Sequence, residues 1–466
     1  MSGFHRSLGL WDATMLVAGS MIGSGIFIVS AGMMRDLGSP AWLLVAWVVA
    51  GVLTVLAALS YGELASMMPK AGGQFVYLER AYGRLTAFLY GWTAFTVITS
   101  GIIAAVAVAF AKFSAVFFPV LSPDNVLLDL GFMRVSAAQV YAVSAILLLT
   151  WFNTRGVESS KTFTTVFTTA KIAALLALIV VGLAVGLGTD VLASNFTDGW
   201  RAATEAADGT LTPLTGAALL SALGVAMVGS LFSSDGWNSI TFIAGEVKEP
   251  QQNIPRSLAL GTFIVTLLYV LANITYLSLL PSEGVMHAEA DRVGTAAAEV
   301  IMGSASVSVM AILIMVSTFG CINSYVLTGP RMYYAMSREG LFFKQAGTLS
   351  AKGVPQWALW VQCAWSCVLC FSGTYGDLLD YATFASLLFY IVTIAGIFIL
   401  RKREPEAPRP YKAFGYPLVP ALYIVCAMGF CLNLLVFKPA FTLGSLVIVG
   451  LGAVVYLVTM RTRSSA

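Results

Sequence analysis

The sequence predicts an all-α protein that crosses a membrane twelve times. Three observations carry that expectation: a high apolar content, apolar runs of membrane length, and basic residues crowded on one side. Of the 466 residues, 58% are hydrophobic and 11% charged, where a soluble domain carries about 25% charge. So few charges cannot cover a water-exposed surface. The composition excludes a disordered chain, a nucleic-acid binder, a secreted disulfide scaffold and an ordinary cytosolic enzyme. His5 and His287 are the only imidazoles, and both fall outside the apolar runs. That leaves little for His-based catalysis or a metal cage, and no cofactor is expected.

Crossing about 30 Å of hydrocarbon takes roughly 20 apolar residues. Runs of that length lie near 9–33, 40–68, 85–118, 136–154, 162–187, 214–245, 257–280, 300–330, 355–373, 378–400, 416–437 and 439–460. In lipid each must be a helix, because every backbone polar group needs an internal partner. The last two are divided only by Phe437-Lys438-Pro439. The first run is too long for a cleavable signal, and no small-residue cleavage site leads into a soluble chain.

With the N-terminus inside, nineteen of the 26 Lys and Arg residues fall on the inner side. Six fall outside (Arg35, Lys112, Arg134, Arg201, Arg292 and Lys438), and Lys171 stays within the membrane. This asymmetry predicts two cytoplasmic termini in a cell membrane. The outer triplet Asn195-Phe196-Thr197 is a glycosylation sequon, which matters only in a eukaryotic secretory pathway. All six cysteines lie in apolar runs. Cys363, Cys367 and Cys370 have the spacing of an iron–sulfur motif, but an unbroken apolar helix offers no loop to wrap a cluster. They read as small hydrophobes.

Spans 1 and 6 contain segments that a plain lipid-facing helix would not choose. Span 1 reads Met21-Ile22-Gly23-Ser24-Gly25; span 6 reads Phe232-Ser233-Ser234-Asp235-Gly236-Trp237-Asn238. Each glycine weakens a helix by about 1 kcal/mol relative to alanine. Close packing through small residues is the plain reading. Position argues for more: interrupted helices at matching places in two five-span halves mark inverted-repeat transporters with a midplane site. The expected division is 1–187 for spans 1–5, 188–400 for spans 6–10, and 401–466 for two accessory spans and a short tail. Unwinding bares N–H groups at the start of one half-helix, which attract a carboxylate. It also bares carbonyls at the end of the other half, which suit an ammonium. One break can thus hold both ends of an amino acid.

A charge at mid-bilayer costs about 2.5–3.5 kcal/mol on insertion scales. Lys171 lies thirteen residues beyond Glu158, roughly 20 Å along a helix, too deep to reach the surface. It either packs against helix-end carbonyls or serves the site; the two overlap. Asp235 sits in the span 6 break. It either faces the pocket or caps the outer half of span 6. Glu63, near the inner end of span 2, reads first as an interfacial cap or ion pair, and second as a proton carrier.

These motifs resemble the amino acid–polyamine–organocation superfamily, and within it the L-type amino-acid transporter branch. Gly23-Ser24-Gly25-Ile26-Phe27 resembles the family's span 1 break, and Lys171 its span 5 lysine. Tyr61-x-Glu63-Leu64 with Pro69-x-Ala71-Gly72-Gly73-x-Phe75 resembles the loop between spans 2 and 3. Gly236-Trp237-Asn238 and Glu246-Val247-Lys248-Glu249-Pro250 resemble span 6 and the loop after it. Asn273-Ile274-Thr275-Tyr276 resembles span 7, and Arg331-Met332 the end of span 8. The resemblance implies the fold of bacterial leucine transporters, with five plus five inverted helices and two more. It implies that Ser24 and the Gly23–Gly25 backbone hold the substrate carboxylate. It implies that carbonyls of Met21, Ile22 and Phe232 to Asp235 (hence Ser233 and Ser234) hold the amine. Phe232 resembles a gate over the site, and Tyr276 a span 7 tyrosine near the break. Asn238, Glu63, Lys171 and Tyr276 are expected to support the site.

In one respect the chain departs from the family. Animal L-type transporters join a heavy chain through a cysteine between spans 3 and 4, and Pro119 to Val135 contains none. No disulfide-linked heavy chain is expected, and the chain looks like a stand-alone, bacterial member. The expected function is sodium-independent exchange of small neutral amino acids such as alanine, serine or threonine. Alternatives are a cationic amino acid or polyamine transporter and a proton-coupled symporter. A channel would want a repeated filter or ring of charges, and a membrane enzyme clustered acids or histidines; neither is visible.

Overall fold

The computed structural model describes residues 6–129, 134–205, 210–372 and 375–464; His5 lies outside them. Apart from two short hairpins the structure is helical. The first span is two helices, α1 (Leu10–Met21) and α2 (Gly25–Leu37), bent by 41° at the Ile22–Ser24 break. Then come α3 (Pro40–Met67), α4 (Gln74–Tyr82), α5 (Arg84–Thr93) and α6 (Thr99–Ser114). A π-turn at Ala94–Ile98 joins α5 and α6 into one long span. Next are α7 (Ala137–Asn153), α8 (Val157–Gly186), the short α9 (Val191–Thr197), α10 (Gly216–Ser233) and α11 (Ser239–Phe242). After these come α12 (Pro250–Leu279), α13 (Ser282–Met286), α14 (Val293–Met302), α15 (Ala305–Arg338), α16 (Gln356–Leu369), α17 (Tyr375–Arg403), α18 (Leu418–Phe437) and α19 (Pro439–Ser464). Strands β1 (Val126–Asp129) and β2 (Arg134–Ser136) pair antiparallel, as do β3 (Ala203–Glu205) and β4 (Leu211–Pro213).

Among the described residues nine helices are long and apolar enough to cross a membrane, and ten spans result if α1 and α2 count as one. The predicted spans at 136–154 and 355–373 correspond to α7 and α16, of 17 and 14 residues, or about 25 and 21 Å. Boundaries moved where end chemistry overrides apolar content. Span 7 starts at Pro250, a proline at the first turn where its missing N–H costs nothing. The predicted span 8 gives up residues 300–304 and runs on to Arg338. The segment after span 7 folds into α13 and α14, and the segments before spans 4 and 6 each carry a hairpin.

Without a hydrophobic drive between helices in lipid, close approach depends on small residues. A Cβ on Gly182 or Gly186 of α8 would collide with Thr275 or Ser278 of α12, and one on Gly51 of α3 with Thr266 of α12. Between α2, α3 and α12 the buried Ser30 hydroxyl donates to Asn273 Oδ1 (2.6 Å) and accepts from the Trp47 indole (3.3 Å). The Asn195 amide donates to the Leu277 and Leu280 carbonyls at 2.8 and 2.9 Å, and its Oδ1 accepts from Ser282. Those bonds tie α9 to the end of α12, so Asn195 serves the fold and its amide is committed. In the segment after α17, the Arg80 guanidinium binds Glu404 (3.1 Å) and holds that carboxyl below its usual range.

Candidate functional site

Both broken spans meet in the middle of the bundle. Span 1 runs α1, Ile22-Gly23-Ser24, α2. Span 6 runs α10, a turn over Ser234–Asn238, then the single turn of α11. They touch directly: a Cβ on Gly25 would strike the Ser233 side chain, and one on Gly236 (φ +85°) would lie 3.1 Å from Ser20 O of α1 as well as against the Tyr325 hydroxyl of α15. Ser24 caps α2 with no side-chain bond to the helix start, so that helix presents its first amides toward the break.

A chamber of about 20 Å³ lies at this junction, room for roughly one water. It is lined by Ser20, Met21, Gly23, Ser24, Gly25, Phe232, Ser233 and Asp235, with Ile102 and Val106 from α6 and Cys321 and Tyr325 from α15. Seven of the residues expected to bind substrate are thus brought together. Ile22 and Ser234 are not at this wall. Ser234 lines a second chamber, also about 20 Å³, formed with α3, α17 and α18. Asp235 borders both.

Lys171 comes up from α8, and its ammonium donates to the Gly19 (2.7 Å) and Ile22 (2.6 Å) carbonyls and, more loosely, to Ser317 O (3.4 Å). The Ser317 hydroxyl also lies 3.1 Å from the Ile22 and Gly23 carbonyls. The Ile22 carbonyl therefore already has two donors. A buried cation needs such partners, and α1 supplies them only because it stops at Met21.

Tyr269 of α12 bridges the two breaks. Its hydroxyl lies 3.0 Å from both Met21 O and Ser233 O. Tyr276, two turns further on, reaches Ile26 O instead, at 3.3 Å. Asn238 lies below the chamber and donates to Gln74 (3.1 Å), which donates to Thr393 (2.9 Å). Glu63 is remote from the chamber. It takes two bonds from Arg401 (2.9 and 2.6 Å), an ion pair with Arg409 (3.2 Å) and the Ala413 amide (2.7 Å). It is the interfacial ion pair that its position suggests first.

Asp235 does not cap the outer half of span 6. It follows the C-terminal end of α10, where carbonyls and not amides are bare. Its Oδ1 accepts from Tyr390 (2.5 Å) and its Oδ2 from Ser386 (3.4 Å), both on α17. Tyr269, Ser317, Cys321, Tyr325, Ser386 and Tyr390 carry no recognisable motif. Only their polarity on apolar spans could have flagged them.

Two seals flank the chamber. Toward the basic face, Tyr61 packs edge to face on Trp237 and Tyr390 (4.7 and 6.0 Å), and those two rings lie tilted at 5.1 Å. Beyond them Glu246 pairs with Arg331 at 3.0 Å, both about 1% exposed or less. The Glu246 carbonyl also accepts the Ser7 and Leu8 amides. Toward the opposite face Arg35 binds Asp291 and the Met286 carbonyl, each at 2.8 Å.

Comparison with known proteins agrees with this geometry. A family model described as amino acid permease matches residues 8–459. Human large neutral amino acids transporter small subunit 2 is 30% identical over 444 residues, 92% of this chain and 78% of that protein. Mouse Asc-type amino acid transporter 1 is 29% identical over 90% of this chain and 74% of its own length. Mouse b(0,+)-type amino acid transporter 1 is 28% identical over 94% and 84%. These relatives are membrane transporters and not enzymes. A broken-helix chamber lined by backbone groups, in a chain matched almost end to end, fits that assignment: the chain belongs to the amino acid permease family of the amino acid–polyamine–organocation superfamily.

Proposed function

We propose that this amino acid transporter is a sodium-independent exchanger of small neutral L-amino acids, working by alternating access. The observation that carries the reading is the Lys171 ammonium seated on the Gly19 and Ile22 carbonyls. A cation at the end of α1 can be a transported ion or a fixed side chain. A fixed one stabilises the break but cannot be carried across, so it couples no ion gradient.

In this reading the substrate carboxylate sits on the first amides of α2, at Gly23, Ser24 and Gly25. The ammonium takes carbonyls at the ends of α1 and α10. The Tyr269 hydroxyl has one proton to share between Met21 O and Ser233 O, so one of the two can accept from substrate. Ser20, Ser24 and Ser233 make a small polar wall and Phe232 closes it, which suits alanine or serine. Residues 1–187 and 188–400 form the two inverted halves, α7 and α16 complete twelve spans, and both termini lie in the cytoplasm. Transport needs no disulfide-linked heavy chain, since the segment joining α6 to α7 has no cysteine. A cationic or polyamine substrate is the second reading, favoured by Asp235 at the chamber wall. Proton coupling is less favoured, because Glu63 is committed to two arginines.

Labelled alanine uptake into proteoliposomes tests the proposal. Uptake should rise several-fold with unlabelled alanine inside and stay constant when choline replaces sodium. Sodium-stimulated uptake, or uptake indifferent to internal amino acid, overturns it.

A further inference from the structure

Among the described residues Asp235 is the one carboxylate bordering both chambers; besides the neighbouring Gly236 amide, the side-chain donors that hold it stand away from the substrate side. The Tyr390 hydroxyl donates to Oδ1 at 2.5 Å, a short charge-assisted bond. Ser386 reaches Oδ2 at 3.4 Å. Both donors stand on α17, behind the break. The Tyr390 ring is itself fixed, at 5.1 Å from Trp237 and 6.0 Å from Tyr61, so the hydroxyl cannot easily follow a carboxylate that turns. The second chamber has a mainly apolar wall that includes Leu53, Leu231 and Phe430, so Ser386 and Tyr390 are the groups that satisfy the carboxylate on that side.

We propose that Tyr390 and Ser386 are specificity-determining residues: by holding the Asp235 carboxylate against α17 they keep it from pairing with a substrate side chain, so that neutral amino acids are accepted and cationic ones refused. The inference rests on the amino-acid exchange proposed above and adds the reason for its substrate class. A carboxylate whose lone pairs already serve fixed donors gains little from a new cation, because each new bond must be exchanged for an old one. Freed of those donors, the same carboxylate at the chamber wall becomes the natural partner of an arginine or lysine side chain. Neither Tyr390 nor Ser386 needs to touch the substrate; they act through Asp235.

The test compares the parent with Tyr390→Phe, Ser386→Ala and the double variant, each normalised to its own alanine uptake in proteoliposomes. Excess arginine or lysine competes against labelled alanine, with norvaline as a neutral competitor of similar length. The parent should be insensitive to arginine. Tyr390→Phe should bind arginine about tenfold tighter or more, the scale of one charge-assisted bond, and Ser386→Ala should show a smaller gain in the same sense. Adding Asp235→Asn should remove the gain, read as the ratio of arginine to norvaline affinity within that variant. If Tyr390→Phe proves inactive, thermal stabilisation of the purified variant by arginine reads the same property without transport. Two results overturn the inference: Tyr390→Phe as indifferent to arginine as the parent, or a parent already inhibited by arginine in a way that Asp235→Asn abolishes. A parent that takes up no amino acid under any condition instead overturns the transport reading on which this rests.

Discussion

Lys171 shows how one residue holds the break together. Its ammonium is the cation that satisfies the carbonyls left bare when α1 ends at Met21. Lys171→Ala takes the ammonium from the buried Gly19 carbonyl, a cost of about 1–3 kcal/mol, and leaves the Ile22 carbonyl to the Ser317 hydroxyl alone. Uptake should fall by tenfold or more while the purified protein still elutes as a single peak; full uptake by this variant would remove the lysine from the mechanism. Lysine in an apolar run stands out in any sequence, and so does an acid such as Asp235. The direction in which each side chain points does not. Asp235 bonds to α17, 151 and 155 residues away, and no local pattern encodes that pairing. Tyr269 and Tyr276 lie on one helix face, two turns apart, and each reaches a backbone carbonyl of span 1. The sequence favours neither; only the depth of the break along α12 decides that Tyr269 bridges both spans.

The elements divide in the same way. Apolar length made the long helices legible, and paired glycines and serines made the two breaks legible. Whether a loop folds depends on partners far along the chain, as with Ser39 of α3's cap, which donates to Gly199 O at 2.5 Å. The inner piece of span 6 is the clearest case. α11 is a single turn, too short to stand alone, and the Glu246–Arg331 pair anchors it to α15. Glu246 Oε2 and Arg331 Nη2 have no hydrogen-bond partner among the described residues, so this buried pair is under-satisfied. Glu246→Gln leaves the guanidinium buried without its counter-charge, a loss of about 3–5 kcal/mol. Its melting temperature in detergent should drop by several degrees. Adding Arg331→Met should recover much of the loss, since no uncompensated charge then remains. A double variant as unstable as the single one would show that packing, not charge, secures this end of α11.

At the scale of the whole molecule, the distribution of basic residues and the two seals make one argument about direction. The Tyr61–Trp237–Tyr390 cluster and the Glu246–Arg331 pair lie toward the face that holds most Lys and Arg residues. The Arg35–Asp291 pair and α14 lie toward the other. With the chamber holding only about 20 Å³, an amino acid enters only if one seal parts, and exchange requires each to part in turn. The proposed orientation rests on charge: basic loops are retained inside, and on that proposal α9 lies outside and the segment between α15 and α16 inside. Ser194 on α9 and Ala351 in that segment are both exposed, and each accepts a cysteine without disturbing a buried contact. On intact cells an impermeant maleimide should label Ser194→Cys and leave Ala351→Cys unlabelled until the membrane is opened. The six natural cysteines lie in the spans and are buried or half-buried, so they add little background. The reverse labelling pattern would invert the molecule in the membrane and assign the Glu246–Arg331 pair to the outer gate.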